Sequence, residues 1–152
     1  MSQKYTVRVY GLVINEKEKL LLSDEYALGR KLTKLPGGGM EPGEGTRDSL
    51  QREFMEELNA EIEVGEHFYT TDFYQPALTR PEYQLISIYY FVKLKSDISD
   101  KLSDRPFDKE NFGPGDQSFR YEKINRLKSE DISLPIDKLV VKKLKEQLKI
   151  PF

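Results

Sequence analysis

The pattern of hydrophobic and polar residues predicts five β-strands. Each strand segment either alternates between apolar and polar residues or forms a short apolar run, and β-branched and aromatic residues dominate the first segment. These segments are residues 4–15, 19–26, 61–69, 83–94 and 117–122. The longest apolar run, YQLISIYYFVKL, predicts a central strand, and the leucines at 20–22 predict a strand paired with the first.

Two further segments have helical spacing. Residues 46–58 place Leu50, Phe54 and Leu58 on one stripe, and residues 134–148 repeat apolar side chains every three or four positions above a lysine-rich outer face. Thr46 is the predicted N-cap of the first helix, and Asn59 is suited to the left-handed conformation that ends it. Strands around two helices predict an α/β fold.

Three connecting segments differ in composition. A glycine run at 37–39, followed by Pro42 and Gly43, predicts two turns ahead of the first helix. The basic segment 29–35 is compatible with a solvated loop or with cations that meet substrate phosphate. The long polar segment 96–116 predicts a functional or mobile connection, because ordered loops of that length are uncommon.

The first helix carries an unusual acidic face. Glu53, Glu56 and Glu57 are spaced i, i+3 and i+4, so Glu57 and Glu56 lie about 40° and 60° to either side of Glu53. Like charges at this spacing oppose helix formation by a few tenths of a kcal/mol. A hard divalent cation with oxygen ligands would offset that repulsion.

Composition narrows the class of protein. The chain has 152 residues, 33% of them charged and 38% hydrophobic, which predicts one globular domain. A net charge of −2 gives no electrostatic support for binding nucleic acid or a membrane surface. Cysteine is absent, which excludes disulfides and thiolate metal sites. No targeting or membrane-spanning run is present, so a cytoplasmic location is the default expectation.

Together the glycine run and the acidic helix resemble the Nudix box of the Nudix hydrolases (MutT-like). That box reads Gly, five residues, Glu, seven residues, Arg-Glu, an apolar residue, any residue, Glu-Glu, any residue, Gly and an aliphatic residue. Asn59 stands where the box usually has Gly, and Ala60 takes the aliphatic place. The matching positions here are Gly38, Glu44, Arg52, Glu53, Phe54, Glu56, Glu57, Asn59 and Ala60.

The resemblance implies a fold, a reaction and a set of site residues. The fold would be an α/β/α sandwich around a mixed β-sheet, formed by residues 1–152 as a single Nudix domain. The reaction would be Mg²⁺- or Mn²⁺-dependent hydrolysis of a nucleoside diphosphate linked to another group. The implied metal ligands are Glu53, Glu56 and Glu57, one of which also acts as the base, with a backbone carbonyl of Gly37 or Gly38. Arg52 would orient these carboxylates, and Glu44 would brace the loop.

Several questions stay open at this stage. Arg30 and Lys34 are candidates for substrate phosphate, and Glu110 and Asp116 for an additional carboxylate near the metal. The substrate is either a nucleoside triphosphate, which suits a small chain, or ADP-ribose or a nucleotide sugar, which the resemblance links to a proline at the position of Pro76. The resemblance also allows a homodimer. The alternative from another class is a Nudix-like binding or regulatory module without catalysis, against which the complete acidic triad argues.

Overall fold

The structure is a computed structural model that describes residues 4–78 and 80–149. Its contacts divide the chain into two compact units, the first made of residues up to 12 with 37–97 and the second of residues 13–36 with 98 onward. The regular elements, in chain order, are β1 (Lys4–Leu12), β2 (Lys19–Ala27), β3 (Arg30–Lys34), β4 (Gly37–Gly39), α1 (Thr46–Leu58), β5 (Ile62–Thr70), β6 (Tyr83–Leu94), β7 (Gln117–Lys123) and α2 (Pro135–Gln147). Among these residues no helix is long and apolar enough to cross a membrane.

The first unit is a mixed four-stranded sheet with α1 packed on it. The strand order is β4-β1-β6-β5, with β1 parallel to β6 and the other neighbours antiparallel. β6 therefore has a strand on both sides, as its long apolar run predicts. Leu50, Phe54 and Leu58 of α1 are buried. A Cβ at Gly11 would lie 2.9 Å from the Phe54 ring, so glycine on β1 makes room for that helix.

The second unit is an antiparallel three-stranded sheet, ordered β3-β2-β7, together with α2. The apolar stripe of α2 is buried, and Pro135 occupies its first turn as expected. The lysines of α2 are not all exposed as the sequence suggests, because Lys145 is also buried. Its ammonium group donates to the backbone carbonyl of Leu127, and burial lowers the pKa of Lys145.

The predicted fold class is confirmed, since the chain is a mixed α/β structure with two sheets and two helices. One expectation about strands holds only in part, and a second is wrong. The predicted pairing of residues 19–26 with the first segment occurs at the end of that segment, where Ile14 forms a bridge with Leu20 and the Leu21 amide donates to the Val13 carbonyl. Along the rest of its length β2 pairs with β3 and β7. The basic segment is not a solvated loop but the strand β3, because Leu28 and Gly29 both have positive φ and close a two-residue hairpin.

Two local predictions around α1 are also corrected. The glycine run is not a turn: it forms the edge strand β4, whose three residues pair with Arg8 to Tyr10 of β1. Thr46 is not the N-cap, which is Gly45. The Thr46 hydroxyl is instead hydrogen-bonded to the Tyr90 hydroxyl at 2.7 Å, while the Gly45 amide donates to the Asp48 carboxylate. Asn59 ends the helix in the left-handed conformation, as predicted.

Candidate functional site

The junction of β4 and α1 is organised by the guanidinium group of Arg52. Its Nε and Nη2 atoms donate to the two carboxylate oxygens of Glu44, at 2.6 and 2.9 Å. Nη2 also donates to the carbonyl oxygen of Gly39 at 3.0 Å. This bidentate pair ties the helix to the loop before it and to the edge strand, a geometry that arginine supports and lysine does not.

The same guanidinium reaches the acidic face of α1. Its Nη1 atom donates to Glu53 at 3.1 Å and to Glu56 at 3.2 Å. Arg52 thus contacts three carboxylates and one backbone carbonyl. The hydrogen bond with Glu44, and after it that with Glu53, raises the pKa of Arg52. Two of the three helix glutamates are therefore held in fixed orientations by one cation.

The pKa of the Glu44 carboxyl is strongly lowered by its contacts in this cluster. Its hydrogen bonds with Arg52, and then the backbone amide of Glu41 at 2.9 Å, stabilise the ionised form. They lower the pKa of Glu44 to about 2. Glu44 consequently keeps its negative charge, and its hold on Arg52, throughout the physiological pH range.

Glu53 lies directly against the backbone of Gly38. A Cβ built at Gly38 would lie 2.5 Å from the Glu53 carboxyl carbon and 2.6 Å from both of its oxygens. Any side chain at this position would occupy the space that the carboxylate fills. The requirement for glycine at position 38 therefore comes from the acidic helix, whereas Gly37 is required by its own backbone, which has φ of 146°.

The residues that could hold a cation fit a hard divalent metal. Carboxylate and backbone carbonyl oxygens are the ligands that such ions prefer, and Glu53 already lies against Gly38. Glu56 is largely exposed and Glu57 is half-buried, on the same helix. As the side chains stand, no three acidic or histidine residues within 4–78 and 80–149 converge closely enough to hold a metal ion; Arg52 holds two of the glutamates instead.

The other predicted site residues all belong to the second unit. Arg30 is exposed at the start of β3, and Lys34 at its end is buried, with its ammonium 2.9 Å from the Glu25 carboxylate. Glu110 is exposed. Asp116 pairs with Lys109 and accepts the amide of Gly113, which together lower the pKa of Asp116.

Two contacts at the site were missed from the sequence. One is the Gly39 carbonyl, which Arg52 binds. The other is Arg8, which lies beside Gly39 across the β1–β4 ladder. The third glycine of the run indicates that another group approaches the backbone closely. The approaching group cannot be identified from the sequence, because the pairing of β4 with β1 joins residues about 30 positions apart and leaves no local pattern.

Comparison with known proteins gives the following matches. Residues 4–132 match the family described as NUDIX domain. A NUDIX hydrolase from Nitrosomonas europaea has a similar structure, with 22% identity, coverage of 99% of this chain and 77% of that one, and a TM-score of 0.67. A MutT protein from Methanosarcina mazei Go1 is also similar, with 22% identity, coverage of 98% and 99%, and a TM-score of 0.66.

A third similar structure is an ADP-ribose pyrophosphatase from Streptococcus suis, with 17% identity, coverage of 95% of this chain and 90% of that chain, and a TM-score of 0.59. At these identities the structural matches establish the fold alone. A search among curated proteins gave no match.

Proposed function

Because the chain belongs to the NUDIX domain family, which covers residues 4–132, we propose that it is a divalent-metal-dependent pyrophosphohydrolase acting on nucleoside diphosphate derivatives. One observation on the site carries the proposal. Arg52 joins Glu44, Glu53 and Glu56 into one network against the glycine strand β4. A purely structural helix has no need for a half-buried guanidinium that holds two of its own glutamates and a third from the preceding loop.

The acidic residues of the site make substrate binding dependent on a cation. A pyrophosphate group is strongly anionic, so these glutamates repel the substrate unless a metal lies between them. We assign Glu53, Glu56 and Glu57 as the side chains that hold Mg²⁺ or Mn²⁺, with the carbonyl of Gly37 or Gly38. When bound, the ion neutralises the phosphates and acidifies a water molecule.

The chain's own residues then have separate tasks. Arg52 orients Glu53 and Glu56, and Glu44 holds Arg52 and the loop. One glutamate of the three accepts the proton of the attacking water. Oxygen of that water bonds to phosphorus as the anhydride P–O bond breaks, which yields a nucleoside monophosphate and a phosphorylated remainder, or pyrophosphate from a triphosphate.

Two observations bear on the choice of substrate. A structural relative is an ADP-ribose pyrophosphatase, and Pro76 forms an isolated bridge with Gln84 at the start of β6. These support ADP-ribose beside nucleoside triphosphates in a substrate panel. We also propose that the two units form one domain, since a single family spans both.

A nucleotide panel tests the proposal. Purified protein is incubated with nucleoside triphosphates, ADP-ribose and nucleotide sugars, with Mg²⁺, with Mn²⁺ and with excess chelator, and products are separated chromatographically. We expect a nucleoside monophosphate from at least one substrate, only when metal is present. Absence of cleavage across the panel, or cleavage unaffected by chelator, would contradict the proposal.

A further inference from the structure

Arg8 lies on the opposite face of β4 from the acidic helix. It pairs in register with Gly39, and its Nη1 atom is 3.7 Å from the position of a Cβ at that glycine. At the preceding residue, Gly38, the Cβ position points into the Glu53 carboxylate. Because successive residues of a strand face opposite ways, Arg8 and Glu53 flank the same short strand on its two faces.

The Arg8 guanidinium is held in a defined orientation. Its Nε atom donates to the Tyr10 hydroxyl at 2.6 Å, and its central carbon is 5.6 Å from the centre of the Tyr10 ring. Tyr10 is only 2% exposed and is stacked on Tyr89 at 5.3 Å. The bond to Tyr10 uses Nε, so the Nη end of the group is the part that lies beside β4.

We propose that Arg8 is a specificity-determining residue that binds the part of the substrate remote from the scissile anhydride. β4 is an edge strand, so a substrate whose diphosphate lies beside Glu53 can pass around that edge to the face that carries Arg8. A planar guanidinium binds two adjacent acceptor atoms. Such a pair is offered either by a base edge, as in guanine O6 and N7, or by the oxygens of a second phosphate.

The placement of Arg8 predicts a specific kinetic signature. A contact with a group far from the reacting phosphorus is equally strong in the bound substrate and in the transition state. Its loss therefore raises KM and leaves kcat nearly unchanged. Arg52, by contrast, contacts the reacting side of the site, and its loss should lower kcat. The inference rests on the proposed function, since it assigns a role within that site.

The test compares Arg8→Gln and Arg8→Lys with the control Arg47→Gln. Arg47 lies in the same unit, where it donates to the Val64 carbonyl and covers the Tyr90 ring. We expect Arg8→Gln to raise KM by about 10- to 100-fold with kcat within about threefold, the size expected for charge-assisted hydrogen bonds. The KM of Arg8→Lys should fall between those of the wild type and Arg8→Gln, and the KM of Arg47→Gln should equal that of the wild type.

Two substrate arms identify the acceptor. A KM effect confined to guanine nucleotides assigns the contact to the base, and an effect shared by ADP-ribose and adenine nucleotides assigns it to phosphate. An unchanged KM for every cleaved substrate would overturn the inference, as would a fall in kcat with KM constant. Thermal unfolding of each variant, and the milder Tyr10→Phe change, separate loss of the contact from loss of the fold.

Direct binding keeps this inference distinct from the catalytic proposal. The probe is an α,β-methylene nucleotide, whose bridge cannot be hydrolysed, titrated calorimetrically into wild-type and Arg8→Gln protein. Weaker binding by the variant supports the role of Arg8 even if the wild type cleaves nothing, in which case only the proposed reaction fails. Equal binding with normal wild-type cleavage removes the inference and leaves the reaction intact.

Discussion

Two neighbouring glycines of β4 should respond in opposite ways to the same substitution. Gly37→Ala and Gly38→Ala each add one methyl group to adjacent positions of one strand. At Gly37 the new Cβ would overlap the Val9 carbonyl oxygen and lie 2.7 Å from the Tyr10 Cα, both fixed backbone atoms. At Gly38 the three atoms nearest to the new Cβ all belong to the carboxylate of Glu53, at the end of a flexible side chain.

The energetic consequences follow from what has to move. At Gly37 the backbone must shift, and φ of 146° is strained for any residue with a Cβ. Overpacking costs about 1–3 kcal/mol and backbone strain about 1–3 kcal/mol. We therefore expect Gly37→Ala to lower the free energy of unfolding by about 2–6 kcal/mol. For a chain of this size that corresponds to a fall in Tm of roughly 4–24 °C.

At Gly38 the carboxylate moves and the backbone does not. Carbon atoms in contact lie about 3.5–4.0 Å apart. The Glu53 carboxyl carbon lies 2.5 Å from the position of the new methyl carbon, so it must move away by about 1 Å. A displacement of that size at a reacting centre costs about 100-fold in rate, or about 2.7 kcal/mol of transition-state stabilisation. Stability should change by less than about 1 kcal/mol.

The assay measures both quantities on both variants. Thermal unfolding by circular dichroism gives stability, and kcat/KM on the best substrate of the panel gives activity. We expect Gly37→Ala to lose stability and Gly38→Ala to keep its Tm while losing activity. If Gly38→Ala keeps full activity, then Glu53 does not act from its place against β4; if Gly37→Ala is as stable as the wild type, the steric argument is wrong.

Three further results are expected. Glu57→Gln should lower kcat by orders of magnitude and leave Tm unchanged, whereas the control Glu63→Gln, at an exposed position, should retain activity. Equal activity of the two variants would show that Glu57 is not a metal ligand. The pKa of Glu44 in the folded protein, about 2, lies below its ordinary value of 4.5. The stabilisation that ionised Glu44 provides is therefore complete above pH 4.5 and is lost as pH falls toward 2. The difference in Tm between wild type and Glu44→Gln should shrink over that pH range, and a constant difference would refute the stabilising role of ionised Glu44. Asp24 is fully buried, and its carboxylate is 2.8 Å from the Arg120 guanidinium. Arg120→Met should therefore lower the free energy of unfolding by about 3–5 kcal/mol, and the double variant with Asp24→Leu should recover much of that loss. Thermal unfolding of both variants measures the two changes.

Much of α1 could be predicted because its determinants are local. The i, i+3, i+4 spacing fixes which glutamates share a face, and Asn59 marks the end of the helix by its own conformational preference. The N-cap of α1 lies one residue before the predicted one, because the Thr46 hydroxyl is hydrogen-bonded to Tyr90, which is 44 positions away. A capping preference is local, and here a tertiary hydrogen bond overrides it.

Strand partners could not be predicted from the same patterns. Alternation identifies β1, β2 and β6 as strands, but the pairing of β1 with β6 depends on packing between residues about 80 positions apart. The hairpin that forms β3 depends on a left-handed Leu28, and leucine gives no turn signal. Residue identity alone therefore suggested a loop.

Buried lysines were the least predictable feature. Lys34 and Lys145 read as surface residues from composition, yet both are buried. Each becomes acceptable through a specific partner, the Glu25 carboxylate for Lys34 and the Leu127 carbonyl for Lys145. The sequence predicts a cation at position 34 that could meet substrate phosphate, but it gives no sign that the Lys34 ammonium contacts the Glu25 carboxylate.

The measurement that bears most directly on the metal-dependent account is anomalous diffraction from crystals grown with Mn²⁺ and a nucleotide. We expect a manganese peak within about 2.5 Å of carboxylate oxygens from Glu53, Glu56 or Glu57, next to the diphosphate. Ordered nucleotide without an anomalous peak beside those side chains would contradict it.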